Sequence, residues 1–171
     1  MRLFLLIVLA TCLVSCGSAV VDYDEGANFN AYSTYNYYPT IDSGLSELDN
    51  KRIIRAADSL LQLQGMTKSD RPQLYVNFYA KEVITNSRNT IGIGIGGGGR
   101  RGGVSVGGGI PIGGREVEQQ FTLDFIDVMN DNLVWQGVLD ARFKEKASPR
   151  QREMHYFKVL QKIVKKYPPK E

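Results

Sequence analysis

Few side chains in this 171-residue chain could carry out covalent or acid–base chemistry. The sequence contains two cysteines, Cys12 and Cys16, and one histidine, His155. A thiol can form a disulfide, bind a metal ion or accept an acyl group, and its position in the chain helps to decide among these. Both cysteines lie within the first sixteen residues, so the nature of that segment determines which of these reactions the chain can support.

The first sixteen residues have the pattern of a bacterial secretory signal. Arg2 supplies a positive charge, residues 3–14 are mostly apolar, and small residues lead to Cys16. The apolar stretch is shorter than the roughly 20 residues that a membrane-spanning helix needs. The sequence LVSC, which ends at Cys16, is similar to the lipobox of bacterial lipoproteins. That similarity implies removal of residues 1–15, acylation of Cys16 and a lipidated tether over residues 16–19.

Two alternatives to this processing remain open. An ordinary signal peptidase could cleave the segment without lipid attachment. Cleavage could also occur at Cys12, but Thr11 is a poor small residue for that peptidase and the apolar stretch would then be very short. We therefore favour Cys16 as the lipidation site, with two or three fatty chains as an effectively permanent membrane anchor.

The composition of the mature chain excludes several function classes. Loss of Cys12 and acylation of Cys16 would leave no free thiol, no disulfide and no cysteine metal site, and one histidine excludes a histidine-rich site. About 155 residues remain, which is enough for one domain over residues 20–171. The formal net charge of +3 would fall to +2 without Arg2, so nucleic acid is not an expected partner. No cofactor or metal ion is expected.

Alternating and helical apolar patterns predict an α+β fold. Helices are predicted over Ser46–Gln64 and from a capping box at Ser148–Gln151 to Pro168. In the last strand, Leu133 and Trp135 are expected on one face. The predicted architecture is an antiparallel β-sheet with two helices packed on one face, a two-layer sandwich. The predicted strands are Val20–Tyr23, Thr34–Tyr38, Leu74–Ile84, Arg115–Val128 and Leu133–Phe143.

A glycine-rich insertion covers residues 91–114. Ile91–Ile95 and Val104–Val106 alternate and predict two weak strands, and Arg100 and Arg101 lie at the tip between them. Each glycine adds backbone entropy that is lost on ordering, so this hairpin is expected to be marginal or partly disordered. Residues 94–99 match a dinucleotide-binding fingerprint, but no helix follows them, so nucleotide binding is not expected.

Other polar and aromatic residues have a structural and a functional interpretation. Tyr35 and Tyr37, with Arg100 and Arg101, could contact a partner or ligand, although a strand with one face in the core explains the tyrosines more simply. Asp124 and Asp127 should point to opposite faces and be solvated. His155 is expected on a partly exposed helix surface. A last set consists of lysines on the C-terminal helix, which fit either a solvated helix end or contact with anionic lipid: Lys158, Lys162, Lys165, Lys166 and Lys170.

Six segments resemble the bacterial lipoproteins grouped as domain-of-unknown-function family 4136. The most specific is the Trp135–Gly137 stretch, and together the segments cover nearly the whole mature chain. The resemblance implies a lipid-anchored envelope protein with an α+β domain and a central insertion rich in glycine and aromatic residues. It implies no activity. The other segments are Val21–Asp24, Phe29 with Tyr32–Tyr35, Arg71–Val76, Thr122–Asp127 and Ile163–Pro169.

The sequence therefore predicts a cell-envelope lipoprotein of non-enzymatic, structural or partner-binding role. We expect attachment to the outer membrane through Cys16, because Gly17 lacks the aspartate that retains some lipoproteins in the inner membrane. The domain is expected to face the periplasm and to bind an envelope protein. The alternative is a module that binds a small ligand or a polysaccharide in the periplasm. A concave aromatic pocket would favour that alternative, whereas a flat apolar patch would favour protein docking.

Overall fold

The computed structural model describes residues 17–86, 90–92, 109–111 and 114–170, and these form an α+β fold. Cys16, the predicted lipidation site, and Arg100 and Arg101, the predicted tip of the insertion, lie outside the described residues. The helices are α1 (Glu47–Leu63) and α2 (Pro149–Val164), and Phe29–Ala31 form one turn of 3₁₀-helix. The strands are β1 (Val20–Tyr23), β2 (Thr34–Tyr37), β3 (Thr67–Lys68), β4 (Leu74–Asn86), β5 (Thr90–Gly92), β6 (Gly109–Pro111), β7 (Arg115–Asp127) and β8 (Asn132–Lys144).

Six of the strands form one open sheet in the order β1-β8-β7-β4-β2-β3. The central pairs are antiparallel as predicted, but β2 pairs in parallel with both β3 and β4. Helix α1 connects β2 to β3, and such a helical crossover returns the chain in the same direction. The sheet is therefore mixed at one edge. Strand β3 was not predicted, because two residues are too few to show alternation.

Both helices begin where the sequence predicted, at serine caps. The Ser46 hydroxyl accepts a hydrogen bond from the Asp49 amide, and Ser148 forms a reciprocal capping box with Gln151. Each cap satisfies backbone donors that a helix start leaves unpaired, so it fixes the residue at which the helix begins.

The two helices cover one face of the sheet. Their buried residues, such as Ile53 and Leu61 of α1 and Leu160 and Ile163 of α2, join the core. An ion-pair bridge also joins the helices, because the buried Asp49 carboxylate lies 2.7 Å from Arg52 and 2.9 Å from Arg152. The sandwich therefore has one buried interface, as the sequence predicted.

A β-bulge at Val134 changes the register of β8. Phe125 faces Trp135, but the next residue of β7, Ile126, faces Leu133, so Val134 is the extra residue. Leu133 is thereby turned to the opposite face from Trp135 and is 51 % exposed. The prediction that these two side chains share a face was wrong, because a strict period of two allows no bulge.

The structure pairs the two ends of the glycine-rich insertion. Thr90–Gly92 and Gly109–Pro111 form a separate two-stranded antiparallel ribbon. The predicted strands within residues 93–108 fall outside the described residues. In the part of the chain that is described, neither helix has the length and apolar character needed to cross a bilayer.

Helix α2 packs against β8 at Gly137, where there is no room for a side chain. A Cβ atom at this position would lie 2.5 Å from Ile163 Cγ2 and 2.6 Å from Trp135 Cη2. We expect Gly137→Ala to lower the free energy of unfolding by roughly 1–3 kcal/mol, the usual cost of overpacking a core. Urea unfolding followed by Trp135 fluorescence measures this. Gly114→Ala is the control, since nothing lies within 4 Å of its added Cβ; equal effects of the two changes would contradict the packing argument.

Candidate functional site

Tyr35 and Tyr37 face the helices rather than solvent. Strand β2 places both side chains on its inner face, where the Tyr35 and Tyr37 hydroxyls donate hydrogen bonds to Asp58 Oδ1 over 2.9 and 2.8 Å. The Tyr37 hydroxyl also lies 3.0 Å from the Ile54 carbonyl oxygen. Lys68 completes the cluster, with its ammonium 3.1 Å from Asp58 Oδ2 and 4.7 Å from the Tyr37 ring centre. The cluster attaches the sheet edge to α1.

This placement changes the interpretation of the two tyrosines. Tyr35 is fully buried, which agrees with the simpler interpretation of a strand with one face in the core and leaves it no exposed surface for a ligand. Burial and the neighbouring Asp58 carboxylate raise the pKa of both phenols above their usual value, so both remain protonated donors. Tyr37 is only partly buried, and its ligand contact stays a prediction.

The opposite face of the sheet carries the candidate site, which we call the open face. Among the described residues, neither helix packs on it. Side chains that alternate with the core positions of β1, β8, β7 and β4 point to this face and line up in cross-strand rows. One row is polar and lies between two rows that are largely apolar. The rows are Val20–Val138–Thr122–Tyr79, Asp22–Gln136–Asp124–Asn77 and Leu133–Ile126–Tyr75.

The polar row is centred on Asp124 of β7. Its carboxylate accepts a hydrogen bond of 2.8 Å from the Gln136 side-chain amide and a longer one of 3.5 Å from Asn77. Asp124 is 7 % exposed, so the prediction of a solvated carboxylate was wrong. Burial raises the pKa of Asp124 above its usual value, and the two amide donors oppose that shift. Asp124 is held between its neighbours on the adjacent strands.

Asp127 does not share a site with Asp124. It lies on the helix-covered face, where its Oδ2 accepts a hydrogen bond of 2.8 Å from the Tyr32 hydroxyl. Burial, together with this carboxylate acceptor, raises the pKa of Tyr32 to about 12. The predicted separation of the two carboxylates onto opposite faces agrees with this arrangement.

The two flanking rows provide apolar and aromatic surface. Val20 and Leu133 are 72 % and 51 % exposed. The Tyr75 ring meets the Tyr38 ring edge to face, with their centres 5.7 Å apart. Aromatic side chains with a polar hydroxyl are enriched at protein interfaces because they provide contact area as well as hydrogen bonds. The open face therefore combines exposed apolar side chains with a hydrogen-bonded polar centre.

A charged cleft borders the open face beyond the first row. Its volume is about 890 Å³, and its lining includes Lys81, Glu118, Asp140 and Arg142. Arg142 lies 3.1 Å from the Glu118 carboxylate, and Gln120 donates a hydrogen bond of 3.2 Å to Asp140. Both carboxylates of the cleft, Glu118 and Asp140, therefore have a partner, so the cleft is better suited to polar contacts at a rim than to acid–base chemistry.

Sequence reasoning missed the open face as a unit. The alternation of Tyr75, Asn77 and Tyr79 was visible in β4, but the register that aligns them with β7 and β8 was not. The signal that could have found the face is the recurrence of apolar residues at the outward positions of several strands.

Within the described residues, no group of three histidine, cysteine, aspartate or glutamate side chains is placed to hold a metal ion. Gln136 and Asn77 of the open face are hydrogen-bonded to Asp124 across the strands, which is an arrangement suited to recognition.

The sequence comparison identifies the family. The family described as "Domain of unknown function (DUF4136)" matches residues 19–169. The chain belongs to the DUF4136 family. This match confirms the resemblance found in the sequence. A search of curated proteins found no match for this DUF4136 chain.

The solved structures that resemble the DUF4136 chain have low sequence identity to it, so they show its fold and nothing about its function. A PDZ domain protein from Parabacteroides distasonis is 14 % identical with a TM-score of 0.59, and the match covers 91 % of this chain and 36 % of that chain. The DUF4136 chain therefore spans about a third of that protein. The PelC dodecamer from Paraburkholderia phytofirmans is 14 % identical, with a TM-score of 0.41 and coverage of 87 % and 98 %. The second score is too low to carry an argument.

His155 of the DUF4136 domain lies on α2, on the helix-covered side of the sheet, and is not part of the open face. Its Nε2 is 3.0 Å from Gln119 Oε1, and its ring packs against Phe143 with the centres 4.5 Å apart. Burial, with a contribution from the positive charge of Arg152, lowers the pKa of His155 to about 4 from 6.5. The imidazole is therefore neutral at pH 7.

The lowered pKa of His155 predicts an acid-sensitive fold. His155 binds a proton near pH 6.5 in the unfolded chain but only near pH 4 in the folded chain. The free energy of unfolding is therefore highest above pH 6.5, and part of it is lost as the pH falls towards 4. Between pH 7 and pH 5 the loss should be about 2 kcal/mol, and His155→Gln, which keeps a donor for Gln119, should abolish it. Urea unfolding of both proteins at the two pH values measures this. Parallel pH profiles of the two proteins would contradict the assignment.

Proposed function

We propose that this protein is a lipid-anchored lipoprotein of the bacterial cell envelope, without catalytic activity, that binds an envelope protein through its open face. Acylated Cys16 attaches it to the outer membrane, and the domain faces the periplasm. The observation that carries the proposal is the row pattern of the open face. Exposed apolar side chains flank a polar row, and the central carboxylate of that row, Asp124, is already hydrogen-bonded to its neighbours. Such a surface is suited to docking, because a partner would bury apolar area without leaving Asp124 unpaired.

The start of the fold supports the anchor. Ala19 is 7 % exposed and belongs to the core, and Val20 begins β1. Among the described residues, the core therefore begins three residues after Cys16, and residue 19 is also where the family match begins. Removal of residues 1–15 would leave the whole family match in place.

The main alternative is a module that binds polysaccharide. The edge-to-face pair of Tyr38 and Tyr75 favours it, because exposed tyrosine rings next to amide and carboxylate groups can contact sugar rings and hydroxyls. The aromatic pair lies on the face of an open sheet, however, and binding pockets for small molecules are usually concave. We therefore place protein docking first.

Removal of the lipidation residue tests the anchor. Cys16→Ala should abolish labelling by a fatty-acid probe, because Cys16 is the one cysteine that the proposed processing leaves in the mature chain. Labelling of cells that express the wild-type and variant chains measures this. Ser15→Ala, which keeps the cysteine and a small residue before it, is the control. Persistent labelling of Cys16→Ala would contradict the assignment.

A charge placed on the open face tests the docking surface. Tyr79→Glu should dissociate the protein from its partner, because a buried unpaired carboxylate costs several kcal/mol at an interface. Native electrophoresis of membranes dissolved in mild detergent should show a complex for wild type and the monomer for this variant. Leu63→Glu, at an 82 % exposed site on α1, is the matched control and should retain the complex. A wild-type chain that migrates as a monomer, or equal loss in both variants, would contradict the proposal.

A further inference from the structure

A groove with an apolar floor lies directly beside the start of the domain. It occupies about 560 Å³ between β1 and the segment that follows α2. Its floor includes Val21 and Tyr23 of β1 and Pro168 and Pro169 of the C-terminal segment. Gly17 also lines it, so the groove opens where the chain leads back to Cys16.

Among the residues that the structure describes, four lysines and no acidic residue line this groove: Lys162, Lys165, Lys166 and Lys170. Lys162 donates a hydrogen bond of 3.3 Å to the Gly17 carbonyl oxygen, which fixes the chain at the groove mouth. Lys165, Lys166 and Lys170 are exposed, and none of the ion pairs among the described residues involves them. The groove therefore presents positive charge next to apolar surface.

Favourable interaction with the dipole of α2 does not explain the positions of all four groove lysines. Only Lys162 lies in the last turn of α2, and Lys165 is its C-cap. The dipole acts within the last turn of a helix, whereas Lys170 lies six residues beyond the end of α2 at Val164. The lysines are grouped by the groove that they line, not by the helix alone.

The short tether brings the groove to the anchor. Ala19 is fixed in the core, so only Gly17 and Ser18 separate it from Cys16. Three residues of extended chain reach about 10 Å. Electrostatic screening at physiological ionic strength acts over about 8 Å, so charges at the groove mouth would interact with a lipid surface at the anchor.

We propose that this lysine-lined groove binds the headgroups of anionic phospholipids and holds the domain in one orientation on the bilayer. The inference rests on the proposed acylation of Cys16, which places the groove at the membrane. Phosphate groups would interact with the exposed ammonium groups, while the apolar floor would contact the upper part of the acyl chains. The anchor alone would leave the domain free to rotate, and the groove supplies the second contact.

Lysine acetylation on vesicles tests the proposal with the acylated protein. The chain is expressed with its own signal, purified in detergent, checked by mass spectrometry for acyl groups, and reconstituted into phosphatidylcholine vesicles with or without phosphatidylglycerol. Acetylation of Lys165, Lys166 and Lys170 should fall roughly threefold when the anionic lipid is present and recover at high salt. Lys51, which pairs with Glu47 on α1, should react equally on both vesicles.

Charge variants distinguish binding by the groove lysines from a general effect of the net positive charge of the domain. A fluorescent label at Pro169→Cys should report a less polar environment on anionic vesicles. Lys165→Gln, Lys166→Gln and Lys170→Gln together should remove that response. The matched triple change Lys51→Gln, Arg55→Gln and Arg71→Gln, which lies away from the groove and removes the same net charge, should retain it.

The outcomes distinguish this inference from the proposed function. An unmodified Cys16 in the mass spectrum would overturn the anchor and the inference with it. An acylated protein whose groove lysines react equally on both vesicles would overturn the groove and leave the anchor in place. Equal loss of response in the two triple variants would also overturn it, because net charge would then explain the effect.

Discussion

The fold depends on the burial of one face of the sheet by both helices. Strand β7 lies in the middle of the sheet, and its inner side chains Phe121, Leu123 and Phe125 are fully buried under that layer. Apolar burial is the main stabilising contribution to such a sandwich. No helix covers the other face in the described part of the chain, yet Asp124 on that face is only 7 % exposed, and it accepts its hydrogen bonds from Gln136 and Asn77 on the two adjacent strands. The buried core and the proposed docking surface are thus two faces of the same strands.

Much of the fold could be predicted from the sequence because its signals are local. Helical periodicity predicted the start of α1 and the capping box at Ser148 that of α2, and alternation predicted the long strands to within two residues of their ends. The bulge at Val134 could not be predicted, because it depends on how β8 packs against β7. The burial of the Tyr35 side chain could not be predicted either. The alternation of β2 is visible in the sequence, but only the position of α1 decides which face of that strand is covered. The candidate site was missed for the same reason, since its rows exist only once the strands are paired.

The proposed anchor would lie very close to the core. Ala19 is part of the core, and only Gly17 and Ser18 separate it from Cys16. A long flexible tether would let a domain sample many orientations, whereas two intervening residues would keep β1 close to a bilayer that holds an acylated Cys16. The C-terminal segment returns to this same edge, with Tyr167 packed 5.9 Å from Phe29 and 5.6 Å from Trp135 between ring centres. The two ends of the domain are therefore packed together at the side where the anchor would be.

The central claim is that the open face, and not the helix layer, meets a partner in the envelope. Photo-cross-linking in living cells tests it most directly, with a photoreactive amino acid placed at Tyr79 or, as the matched control, at the exposed Leu63 of α1. The account predicts a discrete cross-linked product from position 79 and none from position 63. Products of equal yield from both positions, or none from position 79, would contradict it.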